Sequence, residues 1–262
     1  PPPHDRCRRQ RQMCIRDSSD VFRNNYGHIL IHQFLFKEIV MMLYGPLLVW
    51  IAVASLGPYD VTQGMSSKLL YVHVPTVWVA YLGYSLTFLY SVLYFFTKKE
   101  KYDSLAVANA MSGVIFTIVT LLSGSYWGKL TWGTWWVWGD ARLNLTAILL
   151  LVYLGYIASR QFNKDLAKTA KNSSIIGIFG IIQIPILHFS VIWWRSVHQQ
   201  ASILSQETVA SGDAPMSSDI LVTLLISVLL VTLVHVFLTK RFRISNDISW
   251  ADYLNPQSRA KI

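Results

Sequence analysis

Six apolar stretches, read at 38–57, 74–96, 105–126, 143–159, 173–194 and 219–239, make up nearly half of this chain. A helix needs about 20 mostly apolar residues to cross roughly 30 Å of hydrocarbon. Each stretch is close to that length, with the fourth at the lower limit. Only 14% of the residues are charged, where a soluble domain carries about 25%. The expected fold is therefore an all-α integral membrane protein with six transmembrane helices over 38–240. A polar tail, 1–37, precedes them and a second tail, 241–262, follows. The connecting loops are too short to hold a soluble catalytic domain.

Lys and Arg fix the orientation, because they stay on the cytoplasmic side. Nineteen of the 23 lie in the N-terminal segment, the 97–104 loop, the 160–172 loop and the C-terminal tail. Only Lys68, Lys129, Arg142 and Arg195 fall on the other side. Both termini are thus expected in the cytoplasm. The net charge of +9 is this inside excess spread over four segments, not one patch, so no nucleic-acid partner is expected. The natural partner of the long apolar faces is the lipid bilayer.

The N-terminal run PPPHDRCRRQRQMCIRDSSD lacks the apolar core of a secretory signal. Cys7 and Cys14 have neither redox nor haem-attachment spacing, and on the inner side they stay reduced. The run reads as an unstructured tail, partly non-native, with Met13, Met41 and Met42 as alternative starts. The lack of a clear transit peptide favours a bacterial inner membrane.

Ionisable groups within spans mark ion or proton pathways. Here only His188 and His235 lie well inside apolar stretches, which argues against an ion-coupled transporter. No phosphate-binding glycine loop, zinc helix or nucleophile elbow is present.

What remains is aromatic. Trp132, Trp135, Trp136 and Trp138 fall within seven residues, and Asp140 and Arg142 close the run. Tryptophan suits sites that are half apolar and half wet. His73, at the start of the second span, and His198, just past the fifth, lie on the same outer side. Neutral imidazoles ligate haem iron, which has two axial positions, and a flat macrocycle needs aromatic walls. The alternative is an interfacial aromatic belt. A belt accounts for Trp193, Trp194 and Trp250 but poorly for four tryptophans in one short segment. His4, His28 and His32 lie in the inner tail, and His235 reads as a packing residue.

The segment GSYWGKLTWGTWWVWGDAR, 124–142, resembles the tryptophan-rich WWD domain of the haem-handling proteins of cytochrome c maturation. Within them the chain is most similar to the six-span CcmC family. Tyr71-Val72-His73-Val74-Pro75 matches in order and spacing. So do Ile184-Pro185-Ile186-Leu187-His188-Phe189-Ser190, Trp193-Trp194 and His198-Gln199. The resemblance covers about 38–240. Gly139, between Trp138 and Asp140, departs from the family form Trp-Trp-x-Trp-Asp-x-Arg.

The resemblance implies a WWD loop on the outer, periplasmic face that carries haem b, with His73 and His198 as axial ligands. The haem passes to the chaperone CcmE, with CcmD and the ABC transporter pair CcmA/CcmB as partners. Trp132, Trp135, Trp136 and Trp138 are expected against the macrocycle and the chaperone. Arg142 is expected at a propionate, and Asp140 as the residue that orients Arg142 or a backbone turn. His188, ten residues before His198, is expected to be structural or at the haem edge. No covalent catalysis is expected of the chain itself. A haem–apocytochrome c synthase, a haem transporter across the bilayer and a scaffold for the ABC partners stand as rival readings.

Overall fold

The computed structural model describes residues 42–161, 165–194, 196–198 and 216–255. The 1–37 tail with its cysteines and three histidines, Arg195, most of the 195–218 loop and residues from 256 on lie outside them. Among the described residues the regular elements are all helical. They are α1 (Met42–Leu56), a 3-10 turn (Met65–Leu69), α2 (Leu70–Thr97), α3 (Glu100–Trp132), α4 (Ala141–Ser159), α5 (Leu166–Gly180), α6 (Gln183–Trp193) and α7 (Ser218–Leu254). Five segments are long and apolar enough to cross a membrane: Met65–Thr97, Glu100–Trp132, Ala141–Ser159, Leu166–Trp193 and Ser218–Leu254. The first expected span, 38–57, is represented by the shorter α1.

Two prolines shape the fold. Each removes the N–H that would bond the carbonyl four residues earlier, and in hydrocarbon that carbonyl needs another donor. Pro75 frees the Tyr71 carbonyl, which accepts instead from Trp50 Nε1 of α1 at 2.9 Å. Pro185 frees the Ile181 carbonyl, which accepts from the Ile184 N–H at 3.0 Å. The second repair tightens the chain into a turn. The fifth span is therefore two helices, α5 and α6, broken at Ile181-Ile182, where one continuous helix was expected.

The helices α2 and α3 run antiparallel and form the centre of the bundle. On its buried face α3 carries Ala106, Ala108, Ala110 and Ser112, small residues that let helices in a membrane approach closely. The main core gathers Val79, Tyr84, Phe116, Leu149, Tyr153 and Val231. Within it Tyr84 stacks on Tyr153 with ring centres 3.6 Å apart, and the Tyr84 hydroxyl meets Thr117 Oγ1 at 2.7 Å. His235 is also buried, against Ser112 Oγ at 2.8 Å, as a packing residue should be.

The end of the bundle away from His73 is closed by an ion pair. Asp103, only 2% exposed, accepts two hydrogen bonds from Arg160, each 2.8 Å. Trp250 Nε1 donates to the same carboxylate at 2.8 Å and Asn246 Nδ2 at 3.2 Å. Arg160 also donates to Ser173 Oγ at 2.8 Å. The cluster ties α3, the end of α4, α5 and the extended α7 together. Asp103 lies just outside the apolar stretch 105–126, so the sequence pattern places it in a solvated loop. The fold buries it.

Candidate functional site

The opposite end of the bundle assembles most of the sequence-selected residues. The WWD segment is helical through Trp132, so its loop is confined to 133–140. This short return brings α4 back beside α3. The loop closes with the Asp140 N–H on the Val137 carbonyl at 3.0 Å. Gly139 sits inside that turn without a left-handed backbone, and the space where its side chain would be is open. The extra residue is thus absorbed by an ordinary turn that delivers Asp140 to the start of α4.

There Asp140 caps the helix: its Oδ1 accepts the Leu143 N–H at 3.1 Å. Its Oδ2 accepts Ser196 Oγ at 2.6 Å and the Val197 N–H at 2.9 Å. One buried carboxylate therefore fixes both the start of α4 and the segment that carries His198. Burial pushes the Asp140 carboxyl up, but the Ser196 hydroxyl and the Leu143 and Val197 N–H groups outweigh it and hold the group below its ordinary value. Asp140 thus stands at the backbone turn that opens α4 and is linked to the segment that carries His198.

Arg142, the second residue of α4, reaches the same segment. Its NH2 donates to the His188 carbonyl at 2.9 Å, and its NH1 lies 3.3 Å from His198 Nδ1. Its Nε is buried with no hydrogen-bond partner among the described residues. A guanidinium is donor-only, so His198 Nδ1 faces it as an acceptor. The His188 ring itself packs edge-on to Phe189, with centres 5.2 Å apart. In this site His188 contributes its backbone carbonyl.

His73 enters from α2. Its Nδ1 lies 3.1 Å from the Thr120 carbonyl and 3.2 Å from Ser123 Oγ. A carbonyl can only accept, so Nδ1–H donates to it and Nε2 carries the free lone pair. Such a hydrogen bond on the second ring nitrogen is what orients metal-ligating histidines generally. Thr120 is held in turn by Thr76: its hydroxyl donates to Thr76 Oγ1 at 3.0 Å.

The two imidazoles come together. Their ring centres are 6.2 Å apart, with planes inclined by 34°. Imidazole nitrogens bind transition metals at about 2.0 Å. Two such nitrogens on one metal stand about 4 Å apart, with ring centres roughly 6 Å apart. The observed separation of ring centres is close to that value. Trp132 packs edge-on to His198 at 6.3 Å, and Trp127 packs edge-on to His73 at 6.0 Å.

The remaining tryptophans sit differently. Trp136 Nε1 donates to Asn144 Oδ1 at 3.2 Å, anchoring the loop on α4. Trp135 leans on Tyr126, with centres 6.1 Å apart. Trp138 contacts the Trp136 ring and is 83% exposed. Trp132 is thus the one of the four whose ring contacts a candidate ligand, and Trp135 and Trp138 face outward. Trp127, Thr120, Ser123 and Ser196 complete the site but were not singled out by sequence. Trp127 was within reach, since it falls in the quoted WWD segment. The others are ordinary polar residues, and only the fold brings them to the histidines.

A family profile described as CcmC, heme exporter protein C, matches residues 18–252. A ccmC-like mitochondrial protein of cytochrome c biosynthesis from Marchantia polymorpha is 40% identical over 178 residues, 68% of this chain and 72% of that protein. Heme exporter protein C of Bradyrhizobium diazoefficiens is 34% identical over 71% of this chain and 68% of its own length. Heme exporter protein C of Escherichia coli (strain K12) is 32% identical over 75% of this chain and 85% of its own length.

Proposed function

The chain belongs to the CcmC, heme exporter protein C, family, and from that premise we propose that it holds haem b at the outer face of a bacterial inner membrane and hands it to the chaperone CcmE during cytochrome c maturation. The observation that carries the reading is the facing pair His73 and His198. Haem is cargo here, and the chain's own chemistry is to ligate, orient and release it. His73 keeps Nε2 available by donating Nδ1–H to Thr120. Trp132 and Trp127 supply apolar walls beside the two rings. CcmD and the ABC pair CcmA/CcmB are the proposed assembly partners, and no covalent catalysis is assigned to the chain.

Arg142 has two tasks in this reading. Without haem it occupies His198 Nδ1. For His198 to ligate iron through Nε2, Nδ1 must carry the hydrogen, and the guanidinium must give way. Its buried, unpartnered Nε marks a cation with donor capacity in reserve, and a carboxylate such as a haem propionate matches that fork. Asp140 meanwhile keeps the His198 segment seated through Ser196 and Val197.

The test is an absorption spectrum of the purified protein with and without reductant, repeated for His73→Ala and His198→Ala. The expected result is a low-spin bis-imidazole spectrum that each substitution converts to a high-spin or haem-depleted one. An unchanged bis-imidazole spectrum in either variant would overturn the ligand assignment.

A further inference from the structure

Gly124 lies on α3 directly under the His73 ring. A Cβ built on Gly124 would stand 2.7 Å from His73 Cε1, 3.1 Å from Nδ1 and 3.7 Å from Nε2. These are the three nearest atoms, and all belong to one imidazole. Ordinary van der Waals contact begins near 3.4 Å, so a methyl group here would make the ring retreat by about 0.7 Å.

That distance decides the matter. Metal-ligand bonds tolerate deviations of about 0.2 Å, and functional groups must be held within roughly 0.5 Å of their working geometry. The ring is also bounded elsewhere. Trp127 stands edge-on to it at 6.0 Å and His198 faces it at 6.2 Å. The hydrogen bond from Nδ1 to the Thr120 carbonyl is already 3.1 Å long and would be broken by such a retreat.

We infer that Gly124 is a positioning residue for the haem iron: the side chain it lacks sets where His73 stands relative to His198. The inference rests on the bis-imidazole reading above. Gly124 touches no cargo itself and acts through the imidazole.

The experiment compares Gly124→Ala, His73→Gly and the double variant, purified with haem, by absorption and electron paramagnetic resonance, with and without added imidazole. Gly124→Ala is expected to retain haem but to lose or shift the low-spin bis-imidazole signature. His73→Gly with free imidazole is expected to regain that signature. The double variant with imidazole should match it, because a ligand freed from the chain can step around the methyl group. A wild-type spectrum for Gly124→Ala overturns the inference. So does a defect of the same size in the imidazole-rescued background, which would mark a merely structural glycine. If Gly124→Ala fails to accumulate, the double variant decides: recovery once the ring is removed supports the clash with His73, and continued failure overturns it. A normal spectrum for His73→Gly without imidazole would instead sink the ligand reading, separately from Gly124.

Discussion

Asp140 and His198, 58 positions apart in the chain, are tied by a single carboxylate oxygen: Oδ2 of Asp140 accepts both Ser196 Oγ and the Val197 N–H, immediately before His198. The anchor does not involve His73, which hangs on α2 and α3. The two candidate ligands are therefore held by separate parts of the fold and can be perturbed separately.

Asp140→Ala removes a helix cap that typically contributes about 1 kcal/mol, along with the tether. His198 should loosen while His73 keeps its place. The expected outcome is haem that remains bound with one axial position open, read as new carbon monoxide binding to the reduced protein. Wild-type resistance to carbon monoxide in the variant would count against the tether.

The tether has a pH signature. The folded Asp140 carboxyl lies below its ordinary value of 3.8, so its contribution to stability is fully present above that value. It is lost as pH falls through the lower folded value. Melting temperatures of wild type and Asp140→Asn should differ at neutral pH and converge in acid. A constant gap across the acid range would refute the assignment.

Arg142→Lys keeps the charge but not the two-point fork that, in the proposed reading, pairs with a haem propionate. A hydrogen bond involving a charged group contributes about 1.5–3 kcal/mol. Loss of one should raise the rate of haem loss by roughly tenfold or more, measured by transfer to apomyoglobin. An unchanged rate would show that Arg142 has no part in retention.

Asp103→Ala leaves Arg160 buried without its carboxylate. Breaking a buried pair from one side costs about 3–5 kcal/mol. A clear drop in melting temperature in detergent is expected, with the haem spectrum of the surviving protein unchanged, because the pair closes the far end of the bundle. A changed spectrum with an unchanged melting temperature would reverse that assignment.

Gly139→Ala should be silent, within about 0.5 kcal/mol, since its backbone is ordinary and the space beside it is open. Thermal melts and haem spectra check this. A marked loss would mean that the extra residue has a role beyond completing the turn.

Much of this site was legible in the sequence because its chemistry uses rare residue types. Histidine and tryptophan at the ends of apolar stretches stand out against Leu, Val and Ile, so His73, His198 and Trp132 could be selected without a fold. The all-helical class was equally legible, since hydrocarbon leaves few other options for apolar stretches of this length. Asp103 and Arg160 were not legible as a buried pair: both flank apolar stretches among lysines, and only the packing of α7 over them, through Trp250, excludes water. Gly124 was part of the quoted motif, but its meaning depends on which atom of another helix it faces. The break at Ile181-Ile182 had a signal in Pro185, yet a proline in a span predicts a kink as readily as a break. The outward placement of Trp135 and Trp138 follows from where α3 ends, a boundary that an unbroken aromatic run conceals.

The broken fifth span has a mechanical consequence. Its second piece, α6, has 11 residues, so it is a rod about 16 Å long. It leads from the break toward the segment that carries His198, and it packs chiefly against α4. A bend of about 10° at the break would carry its far end roughly 3 Å, many times the give of a metal-ligand bond. Under the proposed ligation, such leverage would let the His198 grip be released by flexing a short arm while the two long central helices, and the His73 grip, stay where they are.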